Sequence, residues 1–274
     1  MPHFPQMITP TIAAGLTAVL LYMAGTVFQV RAFVTSSAPS VRSLVYVAIP
    51  ALLLHGLANY GVVFADPGFN LGIFTVGSLI AWVMVAFVLI SMVRLPVHNL
   101  LTLVFPISVI ALVAALFLDS NYAPRESLSG SLIFHILTSL AAYSILLMAA
   151  CQSVVLAFQE HYIRVRHSIS LIRLLPPLQT MEALLFILLW AGIIVLTVAI
   201  LSGYAFLDDM FAQDVSHHTV LSTASWITYA ALLAGHKFFG WRGTTAVRWT
   251  LIAFSLLVLG YFGSKFVYEI ILGG

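Results

Sequence analysis

Eight long stretches of apolar residues, separated by short polar segments, follow one another along this chain. They cover approximately residues 8–30, 43–65, 71–93, 98–118, 130–158, 181–206, 219–239 and 246–271. A helix needs roughly 20 apolar residues, each rising 1.5 Å, to cross the hydrocarbon core of a bilayer, and every stretch reaches that length. The pattern predicts an all-α integral membrane protein with eight transmembrane helices, which form a single transmembrane domain over residues 1–274.

The composition supports a membrane protein and excludes a soluble domain. Hydrophobic residues make up 62% of the chain and charged residues only 7%, with a mean hydropathy of +1.09, whereas about a quarter of an ordinary soluble domain is charged. The formal net charge of +2 is spread thinly over the loops and forms no basic patch for nucleic acid. The partner that the composition indicates is the lipid bilayer.

The distribution of charge between the loops predicts the orientation, because short loops rich in Lys and Arg remain in the cytoplasm. The loops after predicted helices 1, 3, 5 and 7 contain Arg31, Arg42, Arg94, Arg164, Arg166, Arg173, Lys237, Arg242 and Arg248. The other loops and the C-terminal end carry Asp66, Asp119, Glu126, Asp208, Asp209, Asp214 and Glu269, with only two bases, Arg125 and Lys265. We therefore expect a multi-pass protein of the bacterial inner membrane with both termini outside the cytoplasm.

Several kinds of active site are missing from the sequence. The single cysteine, Cys151, lies inside a predicted span, so the chain has no disulfide framework, no CxxC redox pair and no CxxCH heme-attachment motif. It also lacks a glycine-rich phosphate loop, a GxSxG motif and an HExxH motif. We expect a protein without catalysis of its own.

Four histidines, His55, His98, His135 and His236, lie within or at the ends of predicted spans, where an ionisable group costs roughly 2.5 kcal/mol or more without a partner. From the helical rise, His55 is roughly 15 Å and His135 roughly 8 Å from the outer ends of their helices. His236 is roughly 5 Å from a cytoplasmic end, at the level of His98. Two imidazoles on facing helices in an apolar shell can hold heme. Alternatively, each ring only hydrogen-bonds a neighbouring helix or rests at the interface.

Four segments resemble a known family. They are LLLHGLANY at 52–60, FHILTSLAAYSILLMA at 134–149, LPPLQTMEALLFILLWAGIIVLTVAILSG at 175–203 and GHKFFGWRGTTAVRW at 235–249. Together they are similar to the membrane heme-handling family of cytochrome c assembly proteins, the CcsA, ResC and CcmC type, and most closely to its short YpjD- and HemX-like branch. The resemblance covers nearly the whole chain.

The resemblance implies a heme-binding factor that handles heme or regulates heme and cytochrome biogenesis, with heme b as cofactor and other membrane proteins of that process as partners. It implies that His135 matches the family's outer heme-ligating histidine and that His236 matches the histidine near the cytoplasmic end. His55 matches a recurrent histidine of the family.

Two departures from the family shape the expected sites. The loop FLDDMFAQDVSHH at 206–218 lacks the tryptophan-rich motif of the assembly members, and the last helix is followed by no second outer histidine. We therefore predict that His55 replaces the missing partner of His135 in an outer heme site. A second, cytoplasmic site would use His236 and His98 as iron ligands, with Arg242 on a heme propionate.

The same external loop suggests an alternative function. It contains Asp208, Asp209, Asp214, His217 and His218, and mixed carboxylate and imidazole groups suit a divalent transition metal. On this interpretation the protein is a membrane transporter, or an accessory subunit, for a divalent cation or a porphyrin. The plainer interpretation of the loop is a solvated acidic rim.

Overall fold

The computed structural model describes residues 4–35, 40–65, 68–120, 122, 124–165, 175–206 and 216–272. These residues form eight long helices: α1 (Phe4–Val34), α2 (Val41–Val63), α3 (Ile73–Ser91), α4 (Leu101–Phe117), α5 (Gly130–Arg164), α6 (Leu178–Phe206), α7 (Ser216–Phe239) and α8 (Gly243–Val258). Helices are expected here because an apolar segment in lipid must satisfy its backbone hydrogen bonds internally. The all-α prediction is confirmed.

Shorter elements lie at the helix ends. A 3₁₀ turn, His98–Leu100, leads into α4, and α8 continues through two π-helical segments, Leu259–Gly263 and Val267–Ile271, joined by Ser264–Phe266. Two short strands, β1 (Phe64–Ala65) and β2 (Gly68–Phe69), pair antiparallel after α2.

Seven helical stretches of the described residues are long and apolar enough to cross a membrane. They are Pro10–Val34, Val41–Val63, Ile73–Ser91, His98–Phe117, Gly130–Arg164, Leu178–Ala205 and Gly243–Ile271. Many of their large side chains face outward, including Leu53, 69% exposed, and Ile110, 70% exposed, as expected of surfaces that contact lipid. Helix α7 has 24 residues but is richer in Ser, Thr and His, so the eighth span stays a prediction.

The orientation can be tested with reporters inserted into the full chain after residue 165 and after residue 274. We expect a cytoplasmic signal at the first position and an external signal at the second, because nine of the eleven bases lie in the loops assigned to the cytoplasm. Green fluorescent protein reports the cytoplasm and alkaline phosphatase the outside. Cytoplasmic signals at both positions would overturn the orientation.

Contacts divide the chain into two compact units, residues 1–127 with 268–274, and residues 128–267. In the first unit α1 packs on α2, α2 on α3, α3 on α4, and α4 back on α1. In the second unit α5, α6, α7 and α8 follow the same order, and α8 packs back on α5. Each unit is thus a ring of four helices, and the prediction of one transmembrane domain stays a prediction.

The C-terminal segment is fixed to the first unit by one buried carboxylate. Glu269 is 1% exposed, and its Oε2 accepts the backbone N–H of Ile73 at 2.8 Å. Ile73 is the first residue of α3, where the helix dipole favours a negative charge. An acidic residue near the C-terminus therefore serves as an N-terminal helix cap.

Candidate functional site

The last turn of α7 forms a cleft of about 450 Å³, called here the His236 cleft. It is lined by Trp190, Leu233, His236, Lys237, Gly240 and Arg242. Its volume lies in the range of roughly 300–1,000 Å³ that is usual for cofactor pockets. Sequence reasoning placed His236 and Arg242 at similar depth, and the structure brings both to this cleft.

The imidazole of His236 has a defined tautomer. Its Nδ1 lies 2.8 Å from the carbonyl oxygen of Trp241, and because a carbonyl oxygen only accepts, Nδ1 must carry the proton. In the neutral ring the lone pair then belongs to Nε2. The ring also stacks on Phe186, with centroids 3.5 Å apart and planes 17° apart. Both contacts fix the ring in an orientation that suits a metal ligand, since such ligands usually donate their other N–H to a carbonyl or carboxylate.

The turn that follows His236 positions the Trp241 carbonyl. Gly240 and Gly243 have φ angles of 68° and 52°, a left-handed conformation that glycine adopts without steric cost. The N–H of Trp241 donates to the carbonyl of Gly235 at 3.2 Å, and a Cβ atom on Gly235 would collide with the Trp241 ring. The GHKFFGWRG sequence therefore folds back on the end of α7.

Two carboxylates hold the first turn of α8. Glu182 Oε1 accepts the N–H of Gly243 at 2.9 Å, and Glu160 Oε2 accepts the hydroxyl proton of Thr244 at 3.1 Å. Negative groups are stabilising at a helix N-terminus. Because Arg242 is the N-cap residue of α8, these bonds also fix the backbone from which its guanidinium extends.

The predicted partner of His236 lies in the other unit. His98 opens the 3₁₀ turn before α4 and is half-buried. The pairing of His98 with His236 on one iron stays a prediction.

His135 lines a second, much smaller cleft of about 50 Å³, called here the His135–His218 cleft. Its lining combines two imidazoles with hydroxyl, aromatic and aliphatic groups: His135, Ser139, Tyr143, Leu196, Ala199, Ile200, His218, Thr219, Ser222 and Thr223. The cleft lies within the second unit, between α5, α6 and α7.

Helix α6 orients the ring of His135. Its Nδ1 lies 3.1 Å from the carbonyl oxygen of Ala199 and 3.0 Å from Ser202 Oγ. The Ser202 hydroxyl donates its own proton to the same carbonyl at 2.8 Å. Both neighbours of Nδ1 are therefore acceptors, so Nδ1 carries the proton and Nε2 keeps the lone pair.

His218 faces the same cleft from the first turns of α7. Its Nδ1 lies 3.4 Å from Ser222 Oγ, and its ring meets Tyr261 edge-on at 5.6 Å between centroids. Tyr261 also packs edge-on against Tyr143, 5.8 Å away. Two residues that line the cleft, His218 and Tyr143, therefore both contact Tyr261, which lies in the segment that continues α8.

His55, the predicted partner of His135, is completely buried in the first unit. The Ser78 hydroxyl donates to Asn59 Oδ1 at 2.7 Å, so it accepts from His55 Nε2–H, 2.9 Å away. Nδ1 then accepts from the Tyr22 hydroxyl at 3.2 Å. Both nitrogens are occupied, and iron could replace neither bond without cost. The pairing of His55 with His135 stays a prediction, and these bonds weigh against it.

The proposed cation site in the external loop falls mostly outside the described residues. Asp208, Asp209 and Asp214 are not described, nor is the side chain of His217. Within the described part of the chain, no three His, Cys, Asp or Glu residues come together as a metal site.

Comparison with known proteins decides the family. The profile described as "Cytochrome C assembly protein" matches residues 43–272. The chain belongs to this family. It is also 28% identical over 232 residues to "Inner membrane protein YpjD" of Escherichia coli strain K12. The aligned residues make up 84% of this chain and 88% of that protein. The resemblance recognised in the sequence is confirmed.

A further relative comes from Azospirillum brasilense. It is called "Uncharacterized 28.8 kDa protein in nifR3-like 5'region" and is 37% identical over 141 residues, which is 51% of this chain and 52% of that protein. No solved structure matches the chain significantly. The protein described here is thus a member of the family, and it is a membrane protein with several helical spans.

Sequence reasoning missed that His135 and His218 line one cleft, because it began the seventh helix at 219. The structure begins α7 at Ser216, so His218 belongs to the helix and not to the loop. The adjacent Ser, His and His before an apolar run could have indicated an earlier start, since Ser favours helix N-termini.

Proposed function

We propose that this protein is a heme b-binding protein of the bacterial inner membrane that handles heme, or regulates its use, in heme and cytochrome biogenesis. It acts by binding and has no catalysis of its own. The observation that carries the proposal is the arrangement of His236. Its Nδ1 donates to a backbone carbonyl, so its Nε2 is available to bind a metal. The ring lines a cleft that also contains two cations, Lys237 and Arg242.

Each group of the His236 cleft has a part in holding heme. His236 Nε2 is the iron ligand, and the Trp241 carbonyl makes the imidazole more basic by accepting its other proton. Phe186 holds the ring plane by stacking. Lys237 and Arg242 pair with the propionates, since ammonium and guanidinium groups bind carboxylates through charge-assisted hydrogen bonds. When bound, heme supplies an iron centre that changes oxidation state.

The comparisons with known proteins support the proposed location and the proposed class of function. One relative bears the name of an inner membrane protein, and the family description concerns cytochrome c assembly. The described residues offer no observation that favours the alternative of cation or porphyrin transport.

The absorption spectrum of the full-length protein tests the proposal. Protein purified in detergent from heme-supplemented cells is expected to show the sharp reduced bands of a heme b, and the pyridine hemochrome assay counts the hemes. His236→Ala is expected to contain one heme per protein fewer than the parent, because the cleft loses its iron ligand. His161→Ala, which changes an exposed histidine at the end of α5, is the matched control.

Two results would contradict this proposal. If the parent protein takes up no heme even after incubation with hemin, heme binding itself is wrong. If His236→Ala keeps the full heme content and an unchanged spectrum, the His236 cleft is not the site.

A further inference from the structure

The lining of the His236 cleft changes from charged to apolar. Lys237 and Arg242 line it together with Trp190 and Leu233. The two cations are exposed, and they belong to the end of the bundle that the loop charges assign to the cytoplasm. Leu233 is buried. The cleft therefore combines a positive rim with a wall of indole and hydrocarbon.

Trp190 lies well inside a membrane-spanning helix. It follows Leu178, the first residue of α6, by twelve positions, so its Cα is about 18 Å along the helix axis. Helical side chains lean toward the N-terminus of their helix, which here is the end near Phe186, the residue that stacks on His236. This direction explains how a residue so deep in α6 lines the same cleft as His236.

Trp190 also belongs to a stripe of large apolar side chains on the outside of α6. Its indole is 51% exposed, and Ile194, one turn further along, is 59% exposed. The other exposed members follow at intervals of three or four residues, which places them on one face of the helix: Ile187, Val198 and Leu201. Since α6 is a membrane-spanning helix, this face contacts acyl chains. The apolar wall of the cleft therefore reaches a surface that meets lipid.

We propose that the His236 cleft opens sideways to the membrane past Trp190, between α6 and α7, and that heme enters and leaves by this opening from the cytoplasmic leaflet. The opening is a property of the chain itself, whereas the identity of the ligand rests on the proposed function. The ligand chemistry is that of a flat apolar ring with carboxylates along one edge. The cations at the rim bind the carboxylates, and Trp190 and Leu233 contact the ring.

The orientation of heme in a bilayer matches the orientation that the cleft requires. Heme dissolved in a leaflet keeps its propionates at the aqueous surface, because burial of an ionised carboxylate is costly, and its ring lies among the acyl chains. In the cleft, Lys237 and Arg242 also hold the carboxylates at the surface. Heme can therefore move sideways to His236 without exposing its ring to water, which costs about 25 cal/mol for each Å² of apolar surface.

Lipid can also complete the wall of an open cleft. Acyl chains are as apolar as leucine side chains, so the edge of a ring that faces lipid loses nothing relative to an edge that faces protein. The cleft has a volume of about 450 Å³, and with an open side it can hold a ring whose outer edge extends into the bilayer.

The opening itself can be tested without heme. The full-length protein is placed in nanodiscs of phosphatidylcholine with brominated acyl chains, which quench the fluorescence of tryptophans that they contact. The contribution of Trp190 is the difference between the parent protein and Trp190→Phe. We expect brominated lipid to quench this contribution and iodide in the water to affect it little. Absence of quenching by brominated lipid would overturn the opening, whether or not the protein binds heme.

The route of heme can be tested with the parent protein in liposomes. Hemin is added first, and a large excess of apomyoglobin, which traps heme in the water, is added once the hemin has entered the bilayer. The part of the heme spectrum that His236→Ala lacks reports occupation of the cleft. We expect this signal to keep growing after the trap is added. Growth that stops at once would show entry from water and overturn the inference.

Trp190→Ala tests the position of the opening. Removal of the indole widens the passage, so uptake from the bilayer and release to it are both expected to become about tenfold faster, which corresponds to about 1.4 kcal/mol off one shared barrier. Ile194→Ala is the matched control, because it shortens a side chain of the same exposed stripe that does not line the cleft. Thermal unfolding verifies that both variants fold.

An indole that only contacts bound heme would give a different result. Loss of a contact acts mainly on the dissociation rate, so faster release with unchanged uptake in folded Trp190→Ala would exclude a passage at this residue. If the parent protein takes up no heme at all, the proposed function is wrong, and the fluorescence of Trp190 still decides whether the cleft opens to lipid. The two proposals can therefore fail separately.

Discussion

Replacing His55 with Ala is expected to lower the free energy of unfolding by about 2–4 kcal/mol and to leave the heme content unchanged. The imidazole links three helices, since it bonds Tyr22 of α1 and Ser78 of α3 from its place in α2. Its removal leaves the buried Tyr22 phenol without its partner and takes from the Ser78 hydroxyl one of its two hydrogen bonds, and each lost bond costs about 1 kcal/mol or more. The vacated volume adds a cavity penalty of similar size.

The effect is measurable as a shift of the unfolding curve of the detergent-solubilised protein, with heme counted in the same preparations. Leu53→Ala is a matched control, because this residue lies on the same helix and is 69% exposed. Side-chain hydrogen bonds in membranes are worth roughly 0.6 kcal/mol on average, so a loss under 1 kcal/mol would show that the network contributes little. Loss of one heme from a folded His55→Ala protein would instead support the predicted pair of His55 and His135.

The double substitution Lys237→Ala with Arg242→Ala is expected to weaken heme binding at the His236 cleft by roughly 30-fold to several hundred-fold. Each charge-assisted bond to a propionate contributes about 1–2 kcal/mol at this exposed rim, after allowance for screening by water and salt. The pair therefore contributes about 2–4 kcal/mol, and each 1.4 kcal/mol is a factor of ten in affinity. The spectrum of the heme that does bind should be unchanged, because the iron ligand remains.

Hemin titration of the apoprotein, with apomyoglobin as competitor, measures this affinity. Arg248→Ala is the control, because it removes an exposed cation of α8 that does not line the cleft. The affinity of the parent should also fall with rising salt, and that of the double variant should respond less. Equal affinities for parent and double variant at low salt would exclude propionate pairing by these two cations.

The helices could be predicted from the sequence because each is determined by a local property. Apolar length alone placed a helix at 71–93, where the structure has Ile73–Ser91, and at 43–65, where it has Val41–Val63. The apolar stretch that predicted α5 ends at 158, six residues before the helix itself ends at Arg164, because hydropathy does not register the polar last turns. Gln159 is one of these polar residues, and it donates to the Pro176 carbonyl at 2.9 Å, a contact that hydropathy does not register.

The contacts around the candidate histidines could be predicted only in part, because they depend on tertiary packing. The sequence proposed His135 and His236 through their motifs, and Arg242 through its proximity to His236, and the structure places each of them at a cleft. It could not show that both nitrogens of His55 are already bonded, because the partners belong to other helices. Nor could it place Phe186 against His236, a contact between residues fifty positions apart.

The glycine turn after α7 determines which substitutions leave the contact between His236 and the Trp241 carbonyl intact. The group that sets the proton position on His236 is a main-chain carbonyl, which every residue type at position 241 would supply. Substitutions at Trp241 can therefore change the packing while leaving the electron donation of the imidazole intact. Substitutions at Gly240 and Gly243, with φ of 68° and 52°, can move that carbonyl without altering any side chain that contacts the His236 ring. The backbone path of the turn thus determines which nitrogen of His236 carries the proton.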